Sequence, residues 1–237
     1  MDSLIIYKNE FNKIRLGSNN DGGYVISDLP NGYDYFISCG ISDNVDFEVD
    51  FINKYNIHCQ AFDGTINDLP RKSKNIFFHK KNIGVDDNNN TTNLKSIIEN
   101  YKDIMLKMDI ETFEFRWFDI LSNEELNKFK QIVVEFHFPF SDYSLPNLDK
   151  PTSCNFKMNI LKKLSESHYL IHLHPNTACG TTNYKGITVP NVFECTYVRK
   201  NCQQNIGYNN VVIPHPLDMK NRITDNEIYL SGYPFTF

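Results

Sequence analysis

Two short runs, LKMDIE (Leu106 to Glu111) and VVEFH (Val133 to His137), each end an apolar stretch with ionisable residues spaced two apart. Side chains two apart on a strand point the same way. Asp109 therefore shares a direction with Glu111 if its strand persists that far, and Glu135 with His137. If the two strands are neighbours, both pairs border one cleft. Two chemistries suit such a set. An imidazole with a near-neutral pKa is a general base for a hydroxyl proton, with Glu135 or Asp109 to orient it. The same carboxylates with one imidazole form an oxygen-rich site suited to Mg²⁺ or Mn²⁺ rather than to a closed zinc site. The plain alternative for His137 is an aromatic-like filler between Phe136 and Phe138. His172 and His174 repeat the spacing with Asn176 just beyond, a pattern compatible with zinc that also arises easily by chance.

A second constellation lies upstream. The run YFISC ends in Gly40, and a polar turn containing Ser42 leads into a helical pattern. A glycine there lets backbone approach a ligand with no Cβ in the way. Asp63 ends the next run at about the 20-residue interval at which an acid binds both ribose hydroxyls of a nucleoside. The third run ends near Ile83, an apolar residue suited to an adenine face. Each piece has an ordinary reading, since Asp63–Gly64 is also a turn signal; the register across three successive strands is the informative part.

The elements that must position these residues alternate. Strands are predicted at Tyr35–Cys39, IHCQAFDG, NIFFHKKNIG, IMLKMDI, QIVVEFHF, YLIHLHP and VFECTYVRK. A first helix carries Val45, Val49, Ile52 and Tyr55 on one face, with Ser42 and Asp43 as cap candidates. A second carries Leu94, Ile97, Ile98 and Tyr101. Ser122 and Glu125 form a capping box for a third, and FKMNILKKLSES is another helix. The last two strands have no helix between them and should pair as an antiparallel hairpin beside five parallel strands.

The segments ISCGISDNVDFEVDF…HCQAFDGT, LKMDIETFEF and IVVEFH, with DGGYVI upstream, resemble the FkbM-type, methyltransferase-like branch of S-adenosylmethionine (SAM)-dependent methyltransferases, over roughly Arg15 to Tyr197. The resemblance implies a class I methyltransferase-like α/β fold and O-methyl transfer to a small acceptor, often a sugar or glycan hydroxyl. It implies donor contacts at Gly40, Ser42, Asp63, Gly64, Ile83 and Asp109, with Gly22, Gly23 and Tyr24 in a covering loop. His137, Asp109 and Glu135 are the expected catalytic set, His137 as base, and a divalent metal is the alternative activator. The chain departs from the family pattern at Thr112, where a glycine is usual, and at Ser38, where many methyltransferases carry an acid. A non-catalytic binding module and a nucleotide-dependent oxidoreductase are the competing readings; the absent GxGxxG weighs against the second.

Composition sets outer bounds. The 237 residues carry a net charge of −5, which disfavours nucleic acid as a main partner. No apolar run approaches the about 18 residues of a membrane span. The six cysteines are scattered without a CxxC pair, so reduced thiols and a cytoplasmic setting are expected. The expected organisation is a single domain over 1–237, with a lid segment at 1–34, a core at 35–200 and an extension at 201–237; oligomeric state is not legible.

Overall fold

The computed structural model of the chain describes residues 1–142 and 152–237. Seven strands build the main sheet: β1 (Tyr35–Cys39), β2 (Cys59–Phe62), β3 (Ile76–His79), β4 (Ile104–Met108), β5 (Phe129–His137), β6 (His168–Pro175) and β7 (Val192–Arg199). Their order is β6-β7-β5-β4-β1-β2-β3. The pairs among β1 to β5 are all parallel, and β7 runs antiparallel to both β5 and β6. The expected terminal pair therefore forms, but β7 is inserted between β5 and β6, so only one strand of the seven opposes the rest. Five helices accompany the sheet: α1 (Asp46–Tyr55), α2 (Lys95–Ile98), α3 (Glu114–Ile120), α4 (Asn123–Leu126) and α5 (Cys154–Ser167).

Alternation along the strands makes two cores. Cys39, Leu106, Met108, Val134 and Phe136 point to one face and pack with Phe115, Trp117 and Leu161 of α3 and α5. Phe36, Met105 and Val133 point to the other and pack with Phe47 and Phe51 of α1 and with Tyr24 and Ile26. The latter two belong to an N-terminal antiparallel hairpin, Lys13–Gly17 with Gly23–Ser27. That hairpin is tied to the sheet by Ser27 N–H donating to Gln131 Oε1 at 2.9 Å and by the Thr196 hydroxyl donating to the Val25 carbonyl at 2.5 Å.

Several local expectations change. Helix α1 begins at Asp46, and Asn44 Oδ1 rather than Ser42 or Asp43 receives its N–H, at 2.8 Å. Its buried face is Phe47, Glu48, Phe51 and Ile52, because the bulky aromatics take the core and leave Val49 half-buried. The helix expected to run to Tyr101 is the four-residue α2, started by Leu94 in a left-handed conformation. The third run breaks after His79, and Asn82–Ile83 pairs with Thr91–Thr92 instead. The loop between β6 and β7 carries its own hairpin, Thr181–Tyr184 with Ile187–Pro190. The Ser122–Glu125 capping box forms as expected. All six cysteines are unpaired, Cys39 and Cys59 being buried. Among the described residues no helix is long and apolar enough to cross a membrane.

Candidate active site

What lies over Gly40 is first of all the protein itself. At φ +79° a Cβ on Gly40 would stand 1.7 Å from the Asp109 carbonyl oxygen. The close approach joins the ends of β1 and β4, where Asp109 N–H donates to the Cys39 carbonyl at 2.9 Å, while on the other side of β1 Gly40 N–H donates to the Phe62 carbonyl of β2 at 2.9 Å. The turn is held from below by Lys107, whose buried ammonium donates to the Gly40 carbonyl and lies 5.6 Å from the Tyr24 ring centre.

Beyond this turn opens a cavity of about 900 Å³ at the carboxyl ends of β1, β2 and β4. That volume is within the roughly 300–1,000 Å³ of small-molecule and cofactor sites, and the position is where open α/β sheets bind ligands. Gly22, Tyr24, Gly40, Ser42, Asp63, Ile83 and Asp109 line it. Two expected contacts do not. The missing Cβ of Gly23 makes room for the Ser18 carbonyl, and that of Gly64 for the Asn82 side chain. Ser18, Asn20, Asp21 and Gly22, from the turn of the N-terminal hairpin, form part of the wall.

Asp63 has a different employment from an open carboxylate. Its Oδ2 accepts the N–H groups of Ile41 and Ser42 at 2.9 Å, and Oδ1 accepts the Thr65 N–H and hydroxyl at 2.7 and 2.6 Å. These four donors occupy the carboxylate's usual acceptor sites. Burial pushes its pKa up, but the donors, led by the Ser42 N–H, override it and hold the pKa below the usual carboxylate range. Asp63 fixes the turn after Gly40.

An acid from the neighbouring helix stands beside Ser38. Ser38 Oγ donates to Glu48 Oε1 at 2.5 Å, and Glu48, 1% exposed, lines the cavity. The expectation pointed to neither Glu48 nor Lys107.

At the inner end the two suspected pairs do meet. Strand β4 ends at Met108, so Asp109 and Glu111 do not alternate as strand residues; Glu111 and Thr112 take left-handed φ of 53° and 78° instead. Even so, His137 Nε2 lies 3.9 Å from Asp109 Oδ1, 3.8 Å from Glu135 Oε2 and 3.5 Å from Glu111 Oε2. A further acid, Glu114 at the start of α3, bonds His137 Nδ1 at 2.8 Å and is fully buried. Burial would lower the His137 pKa; Glu114, followed by Glu135 and Asp109, overrides it and raises it to about 10. Burial, then the Asp109 charge, pushes Glu135 well above the usual range. Asp109 and Glu111 line the cavity, while Glu135 and His137 stand behind them.

This cluster continues across the sheet. Glu135 faces Glu194 on β7, and Glu194 faces His174 on β6. Amides hold the row: Asn176 Nδ2 donates to Glu135 at 2.7 Å and Asn221 Nδ2 to Glu194 at 3.0 Å. His172 is bonded to Asp218 at 2.8 Å. The two β6 histidines thus have separate carboxylate partners and do not converge on one metal position. Among the described residues, the one group with metal-ligand spacing is Asp109, Glu135 and His137.

Residues 8–158 match the family described as the methyltransferase FkbM domain. A search of curated proteins found no match.

Proposed function

The chain belongs to the FkbM methyltransferase family, and on that premise we propose that it is a SAM-dependent O-methyltransferase of class I-like fold acting on a hydroxyl of a small acceptor, a sugar or glycan. The observation that carries this reading is the cavity beyond Gly40 with Asp109 in its wall and Glu135 and His137 grouped with that carboxylate. The chain acts as one domain whose N-terminal segment, 1–34, covers the site.

The cavity suits the donor by its chemistry. Ile41, Phe62 and Ile83 offer apolar walls for a purine, and Asp21, Asn44 and Glu48 offer carboxylate and amide groups for a charged amino-acid end. Bound there, SAM supplies an electrophilic methyl group on a sulfonium. The chain's own part is to hold the acceptor oxygen in line and to receive its proton. We assign proton acceptance to Asp109, the carboxylate of the group that lines the cavity. His137, fixed through Nδ1 by Glu114 at 2.8 Å, stands behind Asp109 in a positioning role.

Calorimetric titration tests the reading. One SAM per chain is expected, with Asp109→Asn keeping that binding and slowing transfer to a hydroxylated acceptor by about 10²-fold or more. Folded protein that gives no SAM binding, while binding NAD, refutes it.

A further inference from the structure

We infer that Asp109, Glu135 and His137 hold a divalent cation of the oxygen-preferring class, Mn²⁺ or Mg²⁺, at the inner end of the cavity. The three residues come from the ends of adjacent strands β4 and β5, and their ligand atoms all lie within 4.8 Å of one another. Ligands on opposite sides of a Mg²⁺ are about 4.2 Å apart, given bonds of about 2.0–2.1 Å. The 3.8 and 3.9 Å from His137 Nε2 to Glu135 and Asp109 fall inside that span.

Two observations separate this group from an ordinary acidic cluster. The His137 side chain is 7% exposed, and its Nε2 faces Glu111 at 3.5 Å, Glu135 at 3.8 Å and Asp109 at 3.9 Å with no hydrogen bond among the described residues. Asp109 Oδ1, facing it, is buried and accepts no hydrogen bond. The other nitrogen of His137 is fixed by fully buried Glu114 at 2.8 Å. A carboxylate behind a histidine is how metal-binding imidazoles are oriented and made more basic. Asn176 does the corresponding work for Glu135 by holding Oε1 and leaving Oε2 toward His137.

Two carboxylates and one imidazole select a cation such as Mn²⁺ or Mg²⁺ over the soft metals. Three protein ligands would leave a six-coordinate cation able to take two oxygens of one acceptor, reached past Asp109, the ligand that lines the cavity. The acceptor class is therefore one with adjacent oxygens, such as a vicinal diol. That last step rests on the methyl-transfer reading; the cation site does not.

The test is electron paramagnetic resonance titration of chelator-stripped protein with Mn²⁺ alone, beside a separate SAM calorimetry. One saturable Mn²⁺ per chain is expected, displaced by excess Mg²⁺ and weakened at least tenfold in Asp109→Asn and in Glu135→Gln. Glu114→Gln should weaken it by about 10–100-fold without touching the ion. Circular dichroism melts establish that each variant is folded. Asp109, with its side chain 24% exposed, keeps the test available if Glu135→Gln does not fold. No saturable Mn²⁺ binding, or undiminished binding in folded Asp109→Asn, overturns the site. Mn²⁺ binding without SAM binding upholds it and instead removes the methyl-transfer reading.

Discussion

Gly40→Ala isolates the contact on which the site is built. An L-residue at φ +79° costs about 1–2 kcal/mol in backbone strain. The new Cβ must also part from the Asp109 carbonyl oxygen, from 1.7 Å to at least 3.0 Å. That movement breaks the 2.9 Å bonds of Gly40 N–H to Phe62 and Asp109 N–H to Cys39, each worth about 1 kcal/mol. The expected loss is about 3–4 kcal/mol. Gly186→Ala is the matched control, at φ +84° with no atom within 4 Å, and should lose only the strain of about 1–2 kcal/mol. Urea unfolding followed by the fluorescence of Trp117, the single tryptophan and fully buried, measures both. SAM titration should show lost affinity for Gly40→Ala and unchanged affinity for Gly186→Ala. Equal destabilisation of the two variants would refute the argument that the Asp109 carbonyl dictates the glycine.

Asp63→Asn should cost about 1–3 kcal/mol of stability and weaken SAM binding through the turn, since an amide NH₂ would face N–H or O–H donors; unchanged unfolding and affinity would return Asp63 to a free ligand contact. Because its folded pKa is depressed, the wild-type contribution is present above the ordinary carboxylate range and is lost as pH falls through the folded value, which acid titration of the variant pair reads directly. Thr112, a β-branched residue at φ +78° whose buried hydroxyl has no partner among the described residues, is strained; Thr112→Gly should be neutral to about 1 kcal/mol stabilising by chemical denaturation, and a clear loss of stability would contradict the strain. In chelator-treated protein the His137 ring should remain an imidazolium through pH 8 by nitrogen chemical shift. Its raised pKa means that this stabilisation is complete below the ordinary histidine value and is lost as pH rises through about 10. A neutral ring at pH 8 would discard the four-carboxylate cage.

Local pattern made most of the sheet legible. Alternation and length were enough for β1, β2, β4, β5, β6 and β7, and the reciprocal Ser122 and Glu125 bonds follow from their spacing alone. The site was half legible. Glu135 and His137 share a face because β5 is regular to its end, whereas Asp109 and Glu111 reach the cluster through a left-handed turn that no period announces. Glu48 and Lys107 escaped for another reason. A buried acid or lysine is recognisable only through its partner, and theirs are Ser38 and Gly40, the latter 67 residues from Lys107 in the chain. Asp63 was located at the cavity, but its bonds to the turn were not legible, because its four donors come from a turn whose shape depends on the carboxylate itself.

The insertion of β7 between β5 and β6 has a consequence for how the chain reaches its folded state. The first five strands complete their parallel ladder using residues up to His137, but β5 then presents an open edge until residues 192–199 are available to pair with it. All nine residues of that edge strand are buried in the finished protein. Such an unpaired edge, with Phe129, Ile132, Val133, Val134 and Phe136 along it, is a template for association with other chains, and pairings this distant in sequence form slowly. The vulnerable species during synthesis or refolding is thus a chain with five strands assembled and β7 undocked. Excess peptide of the β7 sequence, or substitutions that weaken the β5–β7 ladder, should act on yield more than on the stability of the finished fold.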